Sequence, residues 1–349
     1  MNGCKKVVYA PIIIATLNRY EHLKRCIESL RQNSWARYTE LYISVDYPAQ
    51  ESHWEGYRKV REYIEDGIEG FKKVNLFFQP VNLGAYNNYQ FLFKKVFEGN
   101  DRCIITEDDN EFSPCFIEFM DKGLELFKND SDILYLCAHS SNKEWHTEGE
   151  NVLKLSSVQY YYGTGFWREK YVRALRERNK RLFDSIGRNP YYIWKLYYHS
   201  RNMLWWYVHR YLCDPYEVMV DKEGTPLEMD INHNIYCIIK NKYIVTPVKS
   251  LSRNYGRDGS GVNCGVDQSY IPRDIVMDDS DHFEYRLPKP FKVRKENRKI
   301  QAGIDGSMKF KDNIKVLQNW ILRELLGDKG YHEFLRKQKE YRDKRSQAV

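Results

Sequence analysis

Three adjacent acids, Glu107-Asp108-Asp109, follow the apolar run Cys103-Ile104-Ile105 and a threonine. Neighbouring carboxylates at the end of a buried strand repel one another unless a cation sits among them. Their hard oxygens suit Mg²⁺ or Mn²⁺, which bridges to substrate phosphates. The competing reading is a helix N-terminus, where acids complement the dipole and Ser113-Pro114 opens the next helix. A second cluster, Pro11 to Arg19, runs from a strand into a polar turn. Thr16, Asn18 and Arg19 would sit at the strand's carboxyl end, with Arg19 able to reach a pyrophosphate. Strand-end capping explains the same residues. A third, Ser44-Val45-Asp46, ends a strand on an acid that can accept from a nucleobase N–H or a ribose hydroxyl. A turn-forming Asp before Pro48 is the other reading. A fourth is Asn82-Leu83-Gly84-Ala85-Tyr86-Asn87-Asn88. Its glycine permits close backbone approach, and a helix starting there offers an anion its N-terminus. The segment lacks the Lys-Ser/Thr pair of a triphosphate-binding loop, and no G-x-G-x-x-G follows the first strand.

The elements that must hold these clusters alternate. Apolar runs at Val7–Thr16, Leu41–Val45, Val74–Phe78, Cys103–Thr106 and Ile133–Ala138 predict five strands. Helical spacing predicts helices over Tyr20–Arg31, Glu55–Ile64, Tyr86–Phe97 and Phe116–Phe127. A β-α-β order of this kind implies an α/β fold with a mostly parallel sheet and helices on both faces. Ligands then bind beyond the carboxyl ends of the strands, where all four clusters fall. After residue 150 the pattern changes. Tyr160 to Trp167 is aromatic and glycine-rich, 190–212 is crowded with Tyr and Trp, and Lys249–Gly265 is a polar loop. Helices are predicted at Lys311–Leu326 and onward to about Arg345.

Bulk composition sets the outer limits. The 349 residues are 42% hydrophobic and 30% charged, which predicts a soluble globular chain. The net charge of +7 is concentrated in the last 60 residues, as in Lys292-Val293-Arg294-Lys295 and Arg336-Lys337-Gln338-Lys339. Such an end either attracts anionic lipid and pyrophosphate groups or is a solvated helix face. No nucleic-acid-binding motif accompanies it, so no nucleic-acid partner is expected. The eight cysteines show no C-x-x-C spacing, which speaks against a zinc site and fits a reducing, cytoplasmic setting. The first apolar run is too short for a secretory leader, and no stretch approaches the roughly 20 apolar residues of a membrane span.

In their order, the four clusters resemble the GT-A (Rossmann-like) glycosyltransferases. The likeness is to bacterial family-2-like sugar transferases and the N-acetylglucosaminyltransferase I group, over roughly residues 8 to 270. Glu107-Asp108-Asp109 with Ser113-Pro114 carries it. The resemblance implies a nucleotide-sugar-binding half (1–140), an acceptor-binding and catalytic half (141–275) and a basic helical extension (276–349). It implies Asp109 as ligand to Mn²⁺ or Mg²⁺, with Glu107 and Asp108 on ribose or metal-bound water. Asp46 would read the base, expected to be uracil, and Thr16, Asn18, Arg19, Asn82, Gly84 and Asn87 would line the nucleotide. Gly163-Thr164-Gly165-Phe166-Trp167 resembles a segment in which Gly165 and Trp167 line the donor sugar. Glu228-Met229-Asp230 occupies the place of a catalytic acid before a helix, with Asp230 as base and a helix N-cap as its other reading. Ser250-Leu251 and Asn254-Tyr255-Gly256 follow the family order. A histidine common in relatives is replaced by Asn263-Cys264, with Arg253, Arg257 or Asp258 as substitutes. The implied reaction moves a sugar from a UDP-linked or similar donor to a saccharide or lipid-linked acceptor, with inversion, at the inner membrane face. The rival classes are a sugar-phosphate nucleotidyltransferase, which needs a glycine-rich first loop absent from residues 15–22, and a non-catalytic carbohydrate-binding protein.

Overall fold

The computed structural model describes residues 7–158, 162–212, 229–261, 265–267, 271–304 and 310–346. The chain divides into two compact units. The first joins 1–173 to 242–297, and the second joins 174–241 to 298–349.

In the first unit the chain runs β1 (Ile12–Thr16), α1 (Tyr20–Arg31), β2 (Glu40–Val45), α2 (Trp54–Glu65), β3 (Lys73–Phe78), α3 (Gly84–Phe97), β4 (Arg102–Glu107), β5 (Asn110–Phe112), α4 (Phe116–Leu126), β6 (Ile133–Cys137), β7 (Val152–Leu155) and β8 (Thr164–Trp167). Helix α5 (Arg168–Glu177) follows, and β9 (Tyr243–Pro247) and β10 (Ser252–Asn254) return after the second unit. Eight strands form one sheet in the order β3-β2-β1-β4-β8-β6-β9-β7. The half containing β3, β2, β1 and β4 is parallel, as the sequence pattern predicts. The other half is mixed, because β8 runs antiparallel between β4 and β6, and β7 antiparallel to β9. The first strand is shorter than the apolar run predicted: Pro11 precedes it, and β1 begins only at Ile12.

Hydrophobic spacing explains how the parallel half is held. Ile12, Ile13 and Ile14 are all fully buried, so β1 is covered on both faces. Leu23, Cys26, Ile27 and Leu30 line the inward stripe of α1 and join the same core. Register then sets the functional edge: Ala15 pairs with Ser44 of β2 and with Glu107 of β4. Thr16, Asp46 and Asp108 therefore emerge at one level of one edge. The acids are followed not by a helix but by β5, which pairs antiparallel with β10, Asn110 opposite Asn254. That ribbon excludes the helix-N-terminus reading of the acids, since α4 starts only at Phe116.

The second unit is helical among its described residues: α6 (Lys180–Gly187), α7 (Pro190–His199), α8 (Arg201–Trp206), a π-helical turn (Tyr207–Leu212), α9 (Met229–Lys240), α10 (Lys295–Ile304, shared with the first unit) and α11 (Phe310–Ser346). Asn179, Asn189 and Ser200 cap α6, α7 and α8 with side-chain oxygens. The aromatic stretch read as a single amphipathic segment is thus divided at Ser200. Tyr207 ties two layers together, its hydroxyl donating to the Phe183 carbonyl and accepting from the Gly187 N–H. Gly327 interrupts α11 with φ 66°, a left-handed value that glycine tolerates.

Candidate functional site at the carboxyl edge

Four elements converge on Asp108 and Asp109, which are 2% and 5% exposed. Thr16, at the end of β1, donates its hydroxyl to Asp108 Oδ2 at 2.7 Å. Arg19, capping α1, spans both acids: Nη1 donates to Asp109 Oδ2 at 2.8 Å and Nη2 to Asp108 Oδ1. Asn254, from β10, donates Nδ2 to Asp109 Oδ1 at 2.6 Å and to Asn110 Oδ1 at 2.9 Å. Its own Oδ1 accepts from the Gly256 N–H at 2.9 Å, which fixes the amide's orientation. The Tyr255 N–H donates to the Asp109 carbonyl at 2.8 Å. A Cβ at Gly256 would collide with the Asp109 carboxylate, so only glycine lets the loop lie this close.

Electrostatics follow from burial. Desolvation raises the Asp109 acid above the ordinary carboxylate range, against the pull of Arg19 and together with the push of Asp108. Burial also works against charge on Arg19, but Asp108 and Asp109 outweigh it and raise its pKa. The Arg19 fork lies on the acids rather than free for a pyrophosphate. Glu107 closes β4 beside them, half-buried, its carbonyl accepting from Cys26 Sγ.

The donor set fits a hard divalent cation in kind. Two buried carboxylates balanced by one guanidinium leave negative charge at this edge, before Glu107 is added. No group of three His, Cys, Asp or Glu side chains converges among the described residues. Mg²⁺-type sites commonly use one or two carboxylates and leave the remaining positions to phosphate and water. All four oxygens of Asp108 and Asp109 already have donors. A dication about 4 Å from the Arg19 guanidinium would meet a repulsion of roughly 8 kcal/mol at an effective dielectric of about 20. A cation and Arg19 therefore cannot share these oxygens in the present arrangement.

The remaining predicted residues divide. Asp46 reaches the same edge, but its carboxylate is held by three backbone N–H groups: Tyr47 at 2.9 Å, Leu83 at 2.8 Å and Gly84 at 2.9 Å. It fastens the end of β2 to the turn before α3. Gly84, at φ +73°, makes that turn. Asn82 donates to the Tyr47 carbonyl and Asn87 to the Leu83 carbonyl, so both brace it. The Asn18 carbonyl lies against Gly56 of α2, where a Cβ would strike it.

Gly165 and Trp167 lie away from the acids. Because β8 is antiparallel to β4, Trp167 pairs with Arg102 and lies at the opposite end of the sheet from the acids. Its indole N–H donates to the Leu124 carbonyl at 2.8 Å, and Lys170 Nζ stacks 3.7 Å from its ring centroid. Gly165 faces Met120 and Leu124 of α4. Both are core residues. Asp230 lies in the first turn of α9 and is exposed, one residue inside the helix rather than at its cap. Glu228 lies outside the described residues, as do Tyr160, Asn263 and Cys264. Of the loop substitutes, Arg253 pairs with Glu111, Arg257 with Asp267 and Asp258 with His22. Asn254 and Gly256 are marked in the sequence only by their Asn-x-Gly spacing, which carries no sign of their place against Asp109.

No protein-family model matches the chain, and no curated protein sequence does. Solved structures give a loose likeness. A mannosyltransferase from Pyrobaculum calidifontis, solved with GDP-Man and Mn²⁺, is similar over 48% of this chain and 49% of that one, with 11% identity and a TM-score of 0.33. S. aureus TarS is similar over 44% of this chain and 25% of its own, at 12% identity and TM-score 0.31. Its 1–349 fragment is similar over 49% of both chains, at 10% identity and TM-score 0.33. The matched regions span half or less of each of these chains, and a likeness of this size assigns neither substrate nor mechanism.

Proposed function

We propose that this chain is a GT-A-type glycosyltransferase that moves a sugar from a nucleoside-diphosphate donor, UDP-linked by preference, to a hydroxyl of a saccharide or lipid-linked acceptor. The observation that carries the proposal is the meeting of Thr16, Arg19, Asp108, Asp109 and Asn254 at the carboxyl edge between β1 and β4. In a parallel sheet that edge is where a nucleotide binds. Asp109 would hold Mn²⁺ or Mg²⁺, with Asp108 on ribose or metal-bound water. The bound ion's contribution is neutralisation of charge on the departing diphosphate. Asn254 and Thr16 keep the two carboxylates oriented. Arg19 supplies a forked donor for phosphate oxygens. Glu107 faces the ribose, and Asp46 sets the turn against which the base lies. In the transfer, the acceptor oxygen bonds to the anomeric carbon as the bond from that carbon to the diphosphate breaks, inverting the centre. The sequence order offers Asp230 as the base for the acceptor's proton.

No helix among the described residues is long and apolar enough to cross a membrane. Lys292–Lys295 and Arg336–Lys339 suit peripheral contact with an anionic membrane surface from the cytoplasm, where a lipid-linked acceptor would lie. The test is a panel of nucleotide sugars assayed for Mn²⁺-dependent hydrolysis and transfer. At least one donor should turn over in the wild type and none in Asp109→Ala. Turnover that survives Asp109→Ala removes Asp109 from the site.

A further inference from the structure

We propose that the outer face of α7 seats on an anionic lipid bilayer, with Trp194 at the centre of the contact. This rests on the transferase reading above only for its purpose, access to a lipid-linked acceptor, and it places the contact on a folded face rather than on the basic chain end.

The face is set by the spacing of one helix. Asn189 caps α7 by accepting from the Tyr191 N–H at 3.0 Å, and Pro190 opens its first turn. Ile193 and Leu196 are buried, and Lys195 turns inward with them, its Nζ donating to the Ile239 carbonyl at 2.8 Å. Tyr191, Trp194, Tyr197 and Tyr198 are left outside, with Tyr191 56% and Trp194 55% exposed. Trp and Tyr concentrate at membrane–water interfaces, where the ring enters the acyl boundary and its N–H or hydroxyl stays among headgroups.

Ring geometry favours lipid over saccharide. A sugar packs its C–H side on an open ring face. Here the rings stack on one another. Tyr191 and Trp194 have centroids 6.1 Å apart and planes at 25°, and Trp194 and Tyr198 have centroids 5.2 Å apart and planes at 8°. Trp194 therefore stands between two tyrosines. The Arg298 guanidinium lies 4.0 Å from the Tyr198 centroid and donates to its hydroxyl.

Charge points the same way. Residues 185–213 contain no Asp or Glu. Arg188 before α7 and Arg201 after it are both exposed, and the Arg201 guanidinium lies 5.1 Å from the Tyr197 centroid. The second unit carries 23 Lys and Arg against 15 Asp and Glu, whereas the first carries 32 against 33. The positive surplus thus belongs to the unit that displays the aromatic row. A second copy of the chain would bring the same cations against this face; an anionic bilayer brings the opposite sign.

The experiment is co-sedimentation of the full chain with phosphatidylcholine vesicles, with and without about 30% phosphatidylserine. The proteins are wild type, Trp194→Ala/Tyr198→Ala and Arg188→Gln/Arg201→Gln. Wild type should bind the anionic vesicles at least about 10-fold more tightly than the neutral ones. The aromatic pair should lose about 10-fold in that affinity and the arginine pair about 5-fold per cation. Brominated lipid should quench part of the wild-type tryptophan emission, and Trp194→Phe, which keeps an aromatic ring, should lose that part. Undiminished binding by the aromatic pair overturns the proposal and leaves membrane contact to the basic chain end. Quenching of Trp194→Phe equal to wild type overturns it as well, and decides the question if the double variants fail to fold. So does a vesicle-free dimer that the aromatic pair dissociates, or emission that responds to soluble oligosaccharide and not to lipid. Donor hydrolysis without vesicles reads the transferase separately: it should be equal in wild type and both pairs, and its absence from wild type removes the transferase reading while vesicle binding stands.

Discussion

Replacing Asn254 by Asp changes one atom and reverses the local logic. The native amide donates to Asp109 Oδ1 at 2.6 Å and to Asn110 Oδ1 at 2.9 Å. The new carboxylate donates to neither when ionised and faces the Asp109 carboxylate at hydrogen-bonding distance. A lost buried hydrogen bond to a charged group costs about 1.5–3 kcal/mol. Two like charges this close share a proton rather than both ionise. Together these put the destabilisation of Asn254→Asp at roughly 3–5 kcal/mol at pH 8. For a unit of this size that is a fall in Tm of roughly 10 °C. The pH dependence separates charge from packing. The shared proton is bound more tightly in the folded state than in the unfolded one, so stability is lost as pH rises above the ordinary carboxylate range. The Asn254→Asp deficit should therefore be larger at pH 8 than at pH 5. Asn254→Ala, which loses the donor but adds no charge, should show a deficit of about 1–3 kcal/mol with little pH dependence. Urea denaturation of the three proteins at both pH values is the assay. Equal deficits for Asp and Ala at both pH values, or an Asn254→Asp chain as stable as wild type, would refute the placement of Asn254 against Asp109.

Two further outcomes follow from single contacts. Asp121 is buried in α4, with one oxygen accepting from the Ala10 N–H at 2.8 Å and the other without a hydrogen-bond partner among the described residues, and burial raises its pKa to about 8. Its folded-state pKa lies above the unfolded value, so wild-type stability should fall by roughly 1.4 kcal/mol per pH unit between about pH 4 and pH 8. Asp121→Asn should remove that slope in denaturation curves, and an unchanged slope would show that Asp121 is not its source. Gly256→Ala drives a methyl group into the Asp109 carboxylate, an overpacking cost of about 1–3 kcal/mol. The variant should keep its circular dichroism spectrum and lose UDP–Mn²⁺ affinity; wild-type affinity would show that the loop does not press on the site.

The centre of the parallel half was legible because β1 and β4 are buried on both faces and written as continuous apolar runs, as in Ile12-Ile13-Ile14. The placement of the acids followed, since a strand that ends at Glu107 must present Asp108 and Asp109 at its carboxyl edge. Strand β8 was not legible, because four residues of Thr-Gly-Phe-Trp do not state their direction. That direction decides whether Trp167 faces a ligand or the core. The β5–β10 ribbon joins Asn110 to Asn254 across 144 positions, and local patterning carries no record of such a pairing. Asp46 shows the same limit. An acid at a strand end reads as a ligand until the Leu83 and Gly84 N–H groups, 37 and 38 residues away, are found on its carboxylate.

On the proposed reading, the carboxyl edge at Asp109 is where the nucleoside diphosphate of the donor lies. The most direct measurement is anomalous scattering from crystals of the full chain grown with UDP and Mn²⁺. The expected result is a manganese peak in contact with the Asp109 carboxylate, with the diphosphate beside it. A nucleotide bound elsewhere, or a manganese peak with no contact to Asp109, would contradict it.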